Sequence, residues 1–241
     1  MRHFTTLFLL LFTAFASANE CPQHFHGGEA PKASEKVTIL CKNSFAIGYS
    51  EDKKTPLWIA MKLVKEEQLS NQEVSRFPFK PDPTLPASSQ PTLADYAGSG
   101  FDRGHMAAFE DMNHSPEAAK ESMYLTNMVP QYPSINRGIW KALETRTRNE
   151  AISNGVIYVI TGPVFEESVT TFLGTSDVKI PISFYKIVID PIHKTTKTYI
   201  IPNVPFGVST SELEIYKTTR SEAEAVTFIQ FMPSIDFVDL R

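Results

Sequence analysis

The sequence predicts an α+β fold around a mostly antiparallel sheet. Three observations carry this. Three strand-like segments follow one another near the N-terminus. A proline-dense stretch and two helical segments come next. Three further strand-like segments and a last helix close the chain, without the strict strand–helix alternation of a parallel sheet.

The first strands span residues 37–41, 45–49 and 57–64, rich in β-branched and aromatic residues and separated by Lys-Asn and Ser-Glu-Asp-Lys-Lys turn material. They read as an antiparallel meander. Residues 77–91 hold five prolines plus Ser88 and Ser89, too many missing N–H groups for a helix or central strand, and read as an ordered surface loop beside the motifs that follow. A short helix begins near Ser115, a good N-cap, with Pro116 at the first helical position and Glu117 at the positive end of the dipole. A longer helix runs from Asn136 to Ser153 and is closed by Asn154-Gly155. Residues 156–160, 182–189 and 197–201 read as strands, and 221–231 as the last helix.

Residues 1–18 have the layout of a signal peptide: Arg2, an apolar run over 4–15, then Ala16-Ser17-Ala18. The run falls short of the ~20 residues that span a bilayer. The expectation is cleavage after Ala18, a secreted or periplasmic chain without a membrane anchor, and one domain over 19–241. Cys21 follows Glu20, not the small residue that precedes a lipid-modified cysteine. Export favours a disulfide between Cys21 and Cys41, the alternative being two unpaired thiols.

Net charge is -4, and losing Arg2 takes it from -4 to -5, which excludes a protein that coats nucleic acid by bulk electrostatics. Any polyanion site is therefore local. Arg137, Lys141, Arg146 and Arg148 cluster in sequence, as a solvated helix face also would.

Functional side-chain types concentrate between Phe101 and Arg148. Asp102-Arg103-Gly104-His105 opens the region, followed by Thr126-Asn127-Met128-Val129-Pro130-Gln131 and then by Asn136-Arg137-Gly138-Ile139-Trp140-Lys141-Ala142-Leu143-Glu144. With these three ordered motifs the sequence resembles the DNA/RNA non-specific endonucleases, which are ββα-metal nucleases. Flanking segments at 56–60, 158–163 and 201–203 extend the resemblance over most of the chain, while residues 227–231 depart from the family's glycine-containing ending. The resemblance implies a ββα-metal nuclease fold and a Mg2+- or Mn2+-dependent endonuclease acting on DNA and RNA without strong sequence preference. By analogy it also implies a homodimer.

Phosphodiester hydrolysis needs a base for water, positive charge for the transition state and help for the departing oxygen. His105 is the natural base, since imidazole accepts a proton near neutral pH and His24, His26, His114 and His193 sit among no comparable groups. The resemblance gives Asn136 a metal through its side-chain oxygen, a role compatible with capping the helix. Glu144, about 12 Å further along a regular helix, would reach back to a water of the metal's shell and orient it as the acid for the leaving group; a plain surface carboxylate is the alternative. Arg103, taken as catalytic as well, and Arg148 and Arg76 are candidates for phosphate, with a salt-bridged surface arginine as the competing reading, evenly balanced for Arg76. Asp102 orients its neighbours, Asn127 holds the backbone near the metal, and Met128, Trp140 and Leu143 are core. Two other functions stay open: a non-catalytic binding module on the same fold, and a phosphodiesterase for a smaller ester.

Overall fold

The computed structural model describes residues 20–70, 74–168, 171–232 and 236–240; the expected signal segment and its cleavage point lie outside them. Strands pair in the order Lys217–Thr218, Thr195–Pro202, Ser183–Asp190, Val156–Val164, Thr55–Val64, Phe45–Ser50, Thr38–Cys41. Val238–Asp239 adds beside Thr195–Pro202 in parallel, and every other pair is antiparallel. All six strands expected from sequence are present, displaced by a few residues at their ends.

Side-chain alternation divides the core between the two faces of this sheet. Tyr185, Ile187 and Ile189 face one side, packing with Cys21, Phe25, Ala223 and Phe231. Phe184 and Val188 face the other, packing with Ile135, Ile139, Trp140 and Leu143. Because both faces are covered, Thr55–Val64 is buried almost throughout and reads as a continuous apolar run.

Thr55–Val64 and Val156–Val164 are neighbours, yet the chain between them, Lys65 to Gly155, crosses the second face and carries every functional motif. Within it Asp102–His105 pairs antiparallel with Met128–Gln131, a strand pair that composition does not announce. Pro116–Ser122 is the expected short helix, with Ser115 Oγ accepting from the Ala118 N–H at 3.2 Å. The long helix is not regular from Asn136, as expected, because Asn136–Trp140 forms a π-helical turn with Gly138 at φ -105 and ψ -111. Regular α-helix occupies Lys141–Asn154, and Gly155 closes it at φ 86. The last helix is Arg220–Thr227, shorter than 221–231. Phe228 turns left-handed at φ 56, and Ile229–Gln230 pairs with Lys32–Ala33, so a strand pairing overrides the helical pattern there.

The proline-rich loop is held from inside. Buried Asp82 takes Lys42 Nζ at 2.7 Å and Thr126 Oγ1 at 2.7 Å. The Gln90 amide donates to the carbonyls of Asp82 and Leu85 at 2.8 and 3.0 Å. These contacts set Phe79, near the loop's start, beside His105, with ring centroids 5.5 Å apart.

Cys21 and Cys41 are bridged, Cα to Cα 5.7 Å, across a sequence separation of 20. The loop-closure model assigns such a bridge ~3 kcal/mol. Reduction is expected to lower the melting temperature by several degrees and leave the far side of the sheet unchanged. Thermal unfolding with and without reductant checks it, and an unchanged transition contradicts it.

Candidate active site

His105 ends the strand Asp102–His105, opposite Met128. Gly104 is required by that pairing, since a Cβ there would stand 2.3 Å from the side-chain oxygen of Gln131. Beyond the strand's end, fully buried Asn127 takes over the ladder. Its Oδ1 accepts from the Ala107 N–H at 2.8 Å, and its Nδ2 donates to the carbonyls of Ala107 at 2.9 Å and Ser122 at 2.7 Å. The chain leaving His105 is thereby fixed on both its donor and its acceptor.

The imidazole is half-buried. Its Nε2 lies 3.4 Å from Met123 Sδ. A thioether accepts and cannot donate, so this contact is satisfied when Nε2 carries the proton, which leaves Nδ1 with the lone pair. Burial, with Arg76 and Arg103 close by, pushes the imidazole down to about 3. Burial thus favours the neutral ring, with its Nδ1 lone pair unprotonated.

Asn136 opens the π-helical turn, its N–H donating to Tyr132 O at 2.9 Å. Its Nδ2 donates to Asp102 Oδ2 at 2.9 Å. A carboxylate only accepts, so Asp102 fixes which way the amide faces and leaves Oδ1 for another partner. Arg137 grips the same carboxylate with Nε at 2.8 Å and Nη2 at 2.7 Å. Burial works to raise the Asp102 pKa, but the bonds from Arg137 and Asn136 hold it below the usual carboxylate range.

Two cavities share His105, Asn136 and Arg76. One, of 340 Å³, adds Phe109, Glu110, Arg137, Lys141 and Glu144. The other, of 380 Å³, adds Phe79, Tyr96, Phe101, Asp102 and Arg103. Neither contains another histidine. Burial raises the pKa of Glu144; Lys186 opposes the rise and Asp111 adds to it.

The arginines are fixed in different ways. Arg103 Cζ stacks 4.5 Å from the centroid of Phe79. Arg76 Cζ lies 4.7 Å from the centroid of Phe109 and pairs with Glu110 at 3.2 Å. Arg148 stands outside both linings, its Nε on buried Asp111 at 2.7 Å. The basic cluster of the sequence therefore divides: Arg137 and Lys141 line the first cavity, while Arg146 pairs with Glu214. Sequence reasoning assigned no role to Phe79, Met123 or Asp111. Only the neighbourhood of the proline loop hinted at Phe79, and nothing in composition marks a methionine as the partner of a histidine.

Residues 28–236 match the family model of the DNA/RNA non-specific endonucleases. Mitochondrial nuclease EXOG of Xenopus laevis is 30% identical over 207 residues, 79% of this chain and 57% of that protein. The chain thus spans little more than half of that relative's length. Human mitochondrial endonuclease G is 30% identical over 209 residues, 82% of this chain and 70% of that protein. A solved EndoG/EndoGI complex superposes with a TM-score of 0.76 at 26% identity, covering 82% of this chain and 86% of that one. The fold is that of the ββα-metal nucleases.

Asn127→Ala is expected to strip the Ala107 N–H and two carbonyls of their partners at a buried site. The cost is on the order of 3 kcal/mol, from unsatisfied groups at 1–3 kcal/mol each. Urea unfolding measures it, and a loss below about 0.5 kcal/mol would remove Asn127 as the clamp behind His105.

Proposed function

The chain belongs to the DNA/RNA non-specific endonuclease family, and from that premise we propose that it hydrolyses phosphodiester bonds of both DNA and RNA without strong sequence preference, in a single domain over 19–241 exported to the periplasm or medium. The observation that carries the reading is His105, Asn136 and Arg76 lining the same two cavities.

His105 Nδ1 takes a proton from water as the water attacks phosphorus. Asn136 holds the divalent cation, Mg2+ or Mn2+, through Oδ1. The residues present suit such an ion: a hard cation takes oxygen donors, and the Asp102 contact turns the amide oxygen free. When bound, the cation supplies a Lewis acid for the phosphate oxygens. Asp102 keeps Asn136 in that orientation. Glu144, on the wall of the same cavity, orients the water that protonates the leaving oxygen. Arg103 and Arg76, stacked on aromatic rings, contact phosphate. Arg148, expected from the sequence to do the same, lies outside both cavity linings and is engaged by buried Asp111, so no phosphate contact is assigned to it. The disulfide suits an oxidising compartment, and no helix among the described residues is long and apolar enough to cross a membrane. A homodimer, by analogy, completes the proposal.

Purified chain incubated with plasmid, single-stranded DNA and RNA, with Mg2+ and with excess chelator, tests the whole reading. Cleavage of all three with metal and of none with chelator is expected; persistence of all three throughout would overturn it. Asn136→Ala is expected to lower turnover by at least about a hundredfold, with the melting temperature nearly unchanged because the ligand lies outside the apolar core. A variant that cuts at the wild-type rate with the same metal dependence would rule out the ligand assignment.

His105→Ala should abolish cleavage while DNA affinity and Mg2+ binding stay nearly unchanged. A residual rate above a tenth of wild type, about 1.4 kcal/mol of barrier, is too much for loss of an essential base. The pH profile has a definite sign. A base must be neutral, and the depressed pKa of His105 favours that form, so the His105 contribution to activity is lost as pH falls through that lowered value. Glu144 titrates as well, with its pKa raised. In a Glu144→Gln background the acid limb of kcat/KM is therefore expected below pH 6.5, and a limb at or above 6.5 contradicts the base assignment.

A further inference from the structure

Lys186 is 1% exposed, in the middle of the strand Ser183–Asp190. It shares the parity of Phe184 and Val188, which face the helix-covered side with Trp140 and Leu143. Its Nζ lies 4.9 Å from the centroid of the Trp140 ring. Trp140 closes the π-helical turn that Asn136 opens, and Glu144 follows in the first turn of the next helix. The ammonium thus sits under the floor that joins both cavity residues.

The two other buried lysines among the described residues both pair with carboxylates, Lys42 with Asp82 at 2.7 Å and Lys179 with Glu167 at 3.7 Å. Lys186 takes part in none of the ion pairs among the described residues. Its charge is felt instead by both Glu144 and Asp111. Burying an ammonium is costly, and a methionine of similar length would fill the place at lower cost. A charge kept where it does not serve stability points to the groups it faces. Those around Glu144 are Lys186 from the sheet, Asp111 and Glu110 from the helix Phe109–Met112, and Arg148 from its own helix. Two of the four repel a carboxylate there, and Arg148 is committed to Asp111.

We propose that Lys186 is a positioning residue, holding the Glu144 carboxylate in the cavity wall from beneath Trp140 against the repulsion of Asp111 and Glu110. The assignment rests on Glu144 orienting the water that protonates the leaving group. Lys186 touches no substrate and acts only through Glu144. Burial pushes the Glu144 carboxyl up and the Lys186 ammonium down, and each opposes the shift of the other.

A double-mutant cycle on the full chain, with a short DNA duplex and Mg2+, tests this. Lys186→Met is expected to lower kcat about tenfold or more, with KM and DNA affinity measured in chelator within about threefold. Combined with Glu144→Gln, it should cost nothing beyond the worse single variant. A crystal structure of metal-free Lys186→Met should show the Glu144 carboxylate turned away from the cavity. Losses that multiply, or a Glu144 side chain that stays in place, overturn the proposal, because a merely structural lysine gives that result. If Lys186→Met does not fold, Lys186→Gln takes its place in the cycle, and wild-type kcat there also overturns it. Wild-type kcat in Glu144→Gln alone would sink the role of Glu144 itself, an outcome distinct from an inert Lys186 beside an impaired Glu144→Gln.

Discussion

The site depends on a strand pair too short to hold itself. Asp102–His105 and Met128–Gln131 offer four residues each, one of them Pro130 without an N–H, and an isolated two-stranded ribbon is marginal in water. Side-chain amides complete it. Asn127 continues the ladder past His105 by bonding both backbone groups of Ala107. Asn203, from the end of a main-sheet strand, donates to Pro130 O at 3.1 Å and Pro181 O at 2.9 Å and accepts from the Tyr132 N–H at 3.0 Å. One amide fixes the exit from His105, and the other fixes the approach to Asn136. The two residues come from separate segments, and their common cavity follows from these contacts.

An acidic chain builds a polyanion site by controlling where its few cations point. Arg103 and Arg76 lie on the faces of Phe79 and Phe109, which fixes planar guanidinium groups at little cost in hydration. Arg137 is held by Asp102, so its charge stays beside Asn136. Arg146 sits on another face of the same helix and is neutralised by Glu214. Proximity in sequence therefore overstated the patch. Helical spacing sends Arg137 and Lys141 one way and Arg146 another.

The main strands were legible because each is a β-branched or aromatic run bounded by turn residues, and the helix at Pro116 was legible from its cap. The motif residues were legible through their order: His105, Asn136, Arg103 and Glu144 each line one or both cavities. So does Arg76, which stands outside the motifs and whose two readings were evenly balanced, while Arg148 lines neither. What stayed hidden depends on contacts distant in sequence. The strand Asp102–His105 is charged and contains glycine, so no propensity marks it, and only its partner segment makes it a strand. The short last helix is a similar case, because Ile229 and Gln230 find Lys32 and Ala33 from the other end of the chain. Met123 beside His105 and Lys186 beneath Trp140 leave no trace in a single sequence.

The π-helical turn shows why a regular-helix reading misplaces Glu144. In an ideal α-helix residues eight apart are rotated about 80° from one another, at 100° per residue, so Asn136 and Glu144 would point toward different walls. A π turn takes in one residue without advancing the helix. Here the turn is also broken at Gly138, and across it Asn136 and Glu144 line the same cavity. Gly138, at φ -105 and ψ -111 with no side chain to clash, takes up the irregularity inside the turn. Sequence–structure rules also break close by: Arg103 Nε and both amide atoms of Gln131 are buried without a hydrogen-bond partner among the described residues, and Lys186 is buried without an ion pair. Such violations gather where geometry serves something other than stability. Here the wall that Asn136 and Glu144 share is the wall that departs from the regular helix.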